Sequence, residues 1–107
     1  LRHDPTGIES MWMGGRYVNM QLTAKTQGGR HTWGYAIDFI EEAGEKGRAH
    51  THYHLSLHHN QGNDPTSYSQ THYCSILTTQ LPQYENTDTI TVSVHTFKGI
   101  KSWTFSN

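Results

Sequence analysis

The chain has 107 residues, of which 33% are hydrophobic, with a mean hydropathy of -0.76 and a formal net charge of -1 at pH 7. That length predicts one domain, the lack of a basic surplus leaves no electrostatic footprint for nucleic acid, and no apolar run approaches membrane-spanning length. Three Trp, six Tyr and three Phe with so little net charge exclude a disordered chain, while the sparse aliphatic content points to burial shared between subunits.

Residues 1–8, with Asp4-Pro5 and Gly7, read as a turn or linker entering a domain over residues 9–107. Over residues 17–25, Val18, Met20, Leu22 and Ala24 fall on one face of an extended chain and Tyr17, Asn19, Gln21 and Thr23 on the other. This is the period of a half-buried strand. Gly28-Gly29 supplies a tight turn, and the chain returns through Trp33, Tyr35, Ile37 and Phe39, so residues 17–25 and 31–40 are predicted to form a β-hairpin. Residues 41–47 are charged and broken by Gly44 and Gly47, the pattern of a loop. A strand over residues 49–57 places Tyr53, Leu55 and Leu57 on one face and His50, His52, His54, Ser56 and His58 on the other. Residues 59–70 are polar, with Gly62 and Pro65, and read as a surface loop.

A strand over residues 71–79 carries Cys74 and Ile76, and residues 80–88, with Pro82, form another loop. Residues 89–97 are a strand with Ile90, Val92 and Val94 facing in; Lys98-Gly99 turns the chain, and residues 101–105 close it with Trp103 and Phe105 on one side. No segment shows the apolar stripe of an amphipathic helix. Short strands separated by turn signals predict an all-β antiparallel sandwich or barrel.

The histidines are the first candidates for chemistry. His50, His52 and His54 alternate on one strand, and alternate imidazoles project to one side, a metal-ligand geometry. A cupin-like metal enzyme would use His50, His52 and His95, but the acidic residue a cupin needs next is missing until Asp64. The plainer reading is a row of solvent-facing or interface imidazoles. Gly28-Gly29 lacks the Lys-Ser/Thr of a phosphate loop, no Gly-x-Ser-x-Gly turn exists, and Glu41, Glu42 and Glu45 read as a solvated charged loop. Cys74 reads as a small buried hydrophobe, and Trp12, Trp33 and Trp103 as core or interface residues. Nothing assembles a nucleophile, a base and an oxyanion donor.

Two stretches resemble the head domain of adenovirus fibre proteins. Leu22-Thr23-Ala24-Lys25-Thr26-Gln27-Gly28-Gly29 is similar to the Leu-Thr-Lys-x-Gly stretch of those heads, and Ser102-Trp103-Thr104-Phe105-Ser106 to their Ser-Tyr-Thr-Phe-Ser ending. Glu9-Ser10-Met11-Trp12-Met13 replaces the Thr-Leu-Trp-Thr opening of mammalian heads, and the chain is much shorter than those heads, which together fit a compact head such as an atadenovirus would carry. The resemblance implies a homotrimeric antiparallel β-sandwich at the tip of a fibre shaft, with residues 1–8 as the end of that shaft. It implies attachment to a host cell-surface receptor, protein or glycan, and a place on the virion surface, with passage through the host nucleus during assembly.

It implies no catalysis, so no enzyme, with no cofactor and no membrane insertion. Loops on a rigid sandwich commonly carry binding, so residues 41–48, 58–70 and 81–88 are the candidate contacts, around Glu42, Glu45, Asn60, Asn63, Tyr68 and Tyr84. The rival readings are a phage or reovirus-type receptor-binding head and the cupin-like enzyme, with His50, His52 and His54 as the alternative metal ligands.

Overall fold

Among the described residues seven strands succeed one another: β1 (Gly7–Gly14), β2 (Tyr17–Thr26), β3 (Thr32–Ala43), β4 (His50–Asn60), β5 (Tyr68–Leu77), β6 (Thr89–Thr96) and β7 (Gly99–Ser106). A 3-10 turn, Thr78–Gln80, comes after β5. The computed structural model describes residues 3–43, 50–62, 68–85 and 88–106, and of Ala43 and His50 the backbone alone. The strands form two sheets, one of order β1-β2-β5 and one of order β3-β4-β6-β7, packed as a sandwich.

The inner faces carry the alternation that the sequence displays. Val18, Met20, Leu22 and Ala24 from β2 meet Tyr53, Leu55 and Leu57 from β4 and Ile90, Val92 and Val94 from β6, all buried. Ile76 and Leu81 complete the buried core, and Trp33, Tyr35, Trp103 and Phe105 pack against it half-buried. The chain's own two sheets enclose these side chains. Each fully buried aliphatic residue contributes roughly 1.5–3 kcal/mol relative to exposure.

The predicted hairpin does not form. β2 pairs with β1 on one side and β5 on the other, whereas β3 pairs with β4 in the opposite sheet. Both edges of β2 are occupied, so the chain after Thr26 must leave the sheet. It does so at the expected turn: Gly28 takes φ 91, and its N–H donates to Thr26 Oγ1 at 3.0 Å. That turn serves a crossing between layers rather than a return beside β2.

The sandwich is not purely antiparallel either, because β4 and β6 pair in parallel. β5 lies in the other sheet, so the chain leaves after β4 and re-enters for β6 running the same way.

β1 is hidden in the sequence. Ile8, Met11 and Met13 pack against the core, but a register shift between Ile8 and Ser10 breaks their alternation. β1 begins at Gly7, inside the segment predicted as a linker, and Gly7 fits because a Cβ there would run into Thr23 Oγ1.

β3 has a second shift, between Ile37 and Phe39. Trp33, Tyr35 and Ile37 oppose His59, Leu57 and Leu55 on the core side, but past the shift Phe39 opposes His54 and Glu41 opposes His52, on the outer side. The face predicted to run from Trp33 to Phe39 therefore ends at Ile37. Two predicted loops are also shorter than expected: residues 41–43 belong to β3, and the 59–70 loop loses His59 and Asn60 to β4 and residues 68–70 to β5.

Candidate functional site

The candidate loop residues sit in different settings. Glu45 and Asn63 lie outside the described residues. Asn60 ends β4 exposed and accepts the Gly62 N–H at 2.8 Å; Tyr68 opens β5 and is 54% exposed. Tyr84 is half-buried, its ring centroid 5.9 Å from that of the fully buried Tyr53, whose hydroxyl donates to the Pro82 carbonyl. Burial raises the pKa of both phenols, with the Asp88 carboxylate adding to the effect.

Asp88 is buried and pins this loop: Oδ1 accepts the Thr51 N–H at 3.1 Å and Oδ2 the Glu85 N–H at 2.9 Å. Glu42, Thr51, Gln83, Tyr84, Glu85 and Asp88 line an open recess of about 480 Å³ at this end.

The histidines divide into three groups. At one end of the sandwich, His59 is buried on the inner side of β4, its ring 4.0 Å from that of Trp33 and 3° from parallel. Its Nε2 is 2.6 Å from His31 Nδ1, and its Nδ1 is 3.2 Å from Thr6 Oγ1. Burial, then the neighbouring His31, lowers the pKa of His59, and the same two causes lower that of His72 on β5. The neutral His59 ring stacked on the Trp33 indole is packing material for the end of the sandwich.

The second group lies on the outer face of the four-stranded sheet. The His3 ring stands 4.3 Å from that of His58 and 4.1 Å from that of His95. His58 is 9% exposed, and neither ring nitrogen has a hydrogen-bond partner among the described residues. Burial, then His3, lowers the pKa of His95 against an opposing effect of Asp38.

The third group is Glu41, His52 and His54, on the same outer face. The structure does not join His95 to this group. The parallel register runs from His52–Thr89 to Ser56–Ser93, which carries His95 past Ser56 to the level of His58. The side chain of His50 lies outside the described residues.

The outer face of the three-stranded sheet is chemically different. Cross-strand rows read Trp12–Asn19–Ser75, Ser10–Gln21–Tyr73 and Tyr17–Leu77. Trp12 is 46%, Tyr17 45% and Tyr73 72% exposed. Its amides are fixed: Gln21 Nε2 donates to Glu9 Oε2 at 2.7 Å, and Ser75 Oγ donates to Asn19 Oδ1 at 2.7 Å. Lys25, which donates to Ser69 Oγ at 2.9 Å, brings a charge to the far end.

The sequence marks Trp12 as an interface candidate but does not single out Tyr17 and Tyr73. Their signal is parity: each is the aromatic residue on the polar side of an alternating strand. Glu41 reads as a loop residue in the sequence, and only the shift in β3 brings it onto the histidine face.

Catalytic geometry is sparse among the described residues. Burial pushes the Cys74 thiol pKa up, away from a reactive thiolate. Ser56 donates to Asp38. Of the hydroxyls beside imidazoles, Thr6 is buried and Thr91 is shared with Thr104 at 2.9 Å.

Comparison with known proteins overturns the fibre-head resemblance. The profile of the NigD-like C-terminal beta sandwich domain family matches residues 1–107. A protein described as toxin-related from Parabacteroides distasonis superposes with a TM-score of 0.73 at 19% identity, over 97% of this chain and 50% of that one. A NigD-like immunity protein from Bacteroides caccae gives 0.62 at 24% identity, over 98% of this chain and 50% of that one. A DUF1344 protein of unknown function from Bacteroides vulgatus gives 0.73 at 16% identity, over 99% and 49%.

The chain thus spans about half the length of each solved structure. No curated protein matches the chain. The short Leu-Thr and Thr-Phe-Ser motifs are ordinary strand sequence, and viral attachment, a virion surface and a host nucleus are all displaced by a bacterial family.

Proposed function

We propose, because the chain belongs to the NigD-like C-terminal beta sandwich domain family, that it is a non-catalytic binding module that masks a protein toxin in the manner of an immunity protein. The observation that carries the reading is the outer face of β1-β2-β5. Protein interfaces concentrate Trp and Tyr and deplete charge at their centre, and a few such side chains carry most of the binding energy. Trp12 and Tyr73 project from the two edge strands of that sheet, with the fixed amides of Asn19 and Gln21 between them. Fixed amides keep a rigid, pre-ordered surface, which lowers the ordering cost of association.

The test is protection. A sensitive Bacteroides strain expressing the full chain is challenged with culture supernatants of antagonistic Bacteroidales strains. The proposal expects survival against at least one supernatant, and loss of it on combined Trp12→Ala and Tyr73→Ala substitution at unchanged expression. No protection against any supernatant, or protection that survives the double substitution, overturns it.

A further inference from the structure

We propose that Glu41, His52 and His54 form a binding site for a divalent transition-metal ion of the zinc class on the outer face of the four-stranded sheet. Each side chain offers one ligand atom, and the three atoms lie within 4.8 Å of one another. Residues two apart on a strand project to the same side, so His52 and His54 stand together on β4, their ring centroids 4.0 Å apart. Glu41 pairs with His52 across the β3–β4 ladder. It reaches this face because of the shift between Ile37 and Phe39; in unbroken register it would oppose Thr51, on the core side. Bulges that re-aim a side chain recur beside functional sites.

Both imidazoles are already oriented. The Phe39 ring stacks on His54 at 4.0 Å, 13° from parallel. His52 Nε2 lies 2.6 Å from Thr91 Oγ1, itself 2.9 Å from Thr104 Oγ1. A metal-bound histidine commonly gives its other ring N–H to a fixed acceptor. With Nε2 engaged by Thr91, Nδ1 is the nitrogen of His52 left for an ion.

His54 supplies a second, independent observation. Its Nε2 is buried and, among the described residues, makes no hydrogen bond, although Glu41 Oε1 stands 2.5 Å away. The pair has the separation of an ion pair without the angles of a hydrogen bond. A tetrahedral ion with such ligands sets its donor atoms roughly 3.4 Å apart, so the exposed Glu41 carboxylate would draw back from His54 to admit it. Two imidazole nitrogens and one carboxylate oxygen suit zinc, with bonds of about 2.0–2.2 Å and an open fourth position. The nitrogen pair disfavours calcium and magnesium, which take oxygen ligands.

The full chain, stripped with a chelator, is titrated with zinc chloride by calorimetry and with cobalt(II) by visible absorption. The expected result is saturable zinc binding and tetrahedral cobalt bands. Glu41→Gln, His52→Gln and His54→Gln should each weaken zinc by at least about ten-fold, while His95→Gln leaves the affinity unchanged. Glu41 is exposed, so its substitution tests the site even if a histidine variant unfolds; melting curves of the metal-free variants identify that case. No saturable binding overturns the proposal, as does binding indifferent to Glu41→Gln and His54→Gln or abolished by His95→Gln.

Discussion

The outer face of β1-β2-β5 and the outer face of β3-β4-β6-β7 rest on one shared core, yet differ in almost every chemical respect. The first presents Trp12, Tyr17 and Tyr73 among amides and hydroxyls, with Glu9 and Lys25 as its charges. The second presents His52, His54, His58 and His95 beside Asp38 and Glu41, with paired hydroxyls of Thr91–Thr104 and Ser93–Ser102. The inner positions of both sheets obey the same alternation, because both must fill one apolar layer. The outer positions are free of that demand, and there the two sheets diverge: one is a nearly uncharged surface of aromatic rings and amides, the other a field of titratable ligands.

The strongest way to probe the shared half of this comparison is truncation of the core from each side. Leu22 and Leu55 are both fully buried. Leu22→Ala and Leu55→Ala should each cost about 2–5 kcal/mol in urea unfolding, by lost transfer energy and an unfilled cavity. A large loss for one and a negligible one for the other would mean that the sheets do not share a single core.

The next effect separates the faces. Trp12→Ala or Tyr73→Ala should weaken partner binding by about 2 kcal/mol or more while moving stability by no more than about 0.5 kcal/mol, as exposed substitutions do. Equal damage to folding and binding would make these aromatics structural.

Acid should act chiefly through the buried and half-buried imidazoles. Burial lowers the pKa of His59, His72 and His95 below the ordinary 6.5, aided by His31 for the first two and by His3 for the third. The unfolded chain therefore takes up protons near pH 6.5 while the folded chain resists them. The stability these groups lend is whole above pH 6.5 and falls as the pH drops through and below it. A lower Tm at pH 5 than at pH 7.5 is expected, with the difference reduced in His72→Gln. A flat or rising Tm toward pH 5 would contradict the burial of neutral rings.

The smallest effect concerns the hydroxyl ladder. Ser93 and Ser102 face each other at 2.9 Å on the solvent side, so Ser93→Ala should change unfolding free energy by no more than about 0.5 kcal/mol.

Much of this architecture can be read from residue order, and the failures have physical causes. The alternations of Val18 to Ala24, Tyr53 to Leu57 and Ile90 to Val94 identify buried faces without ambiguity, since only a strand puts every second residue in a core. Pairing is another matter. A turn at Gly28 fits a hairpin and a layer crossing equally well, and the choice is made by β1 and β5 occupying the edges of β2, a non-local fact. The shifts at Ile8–Ser10 and Ile37–Phe39 each reverse the parity of the rest of their strand, which conceals β1 and moves Phe39 and Glu41 to the outer face. The histidine row is legible as a ligand pattern, but Glu41 is not, because its place beside His52 exists only through that shift.

The measurement that bears most directly on the division between the faces is the protection assay run with two double variants, Trp12→Ala with Tyr73→Ala and Glu41→Gln with His54→Gln. The aromatic pair is predicted to lose protection and keep zinc affinity; the ligand pair is predicted to keep protection and lose zinc affinity. Protection retained by the aromatic pair and lost by the ligand pair would contradict the account, placing the partner on the histidine face.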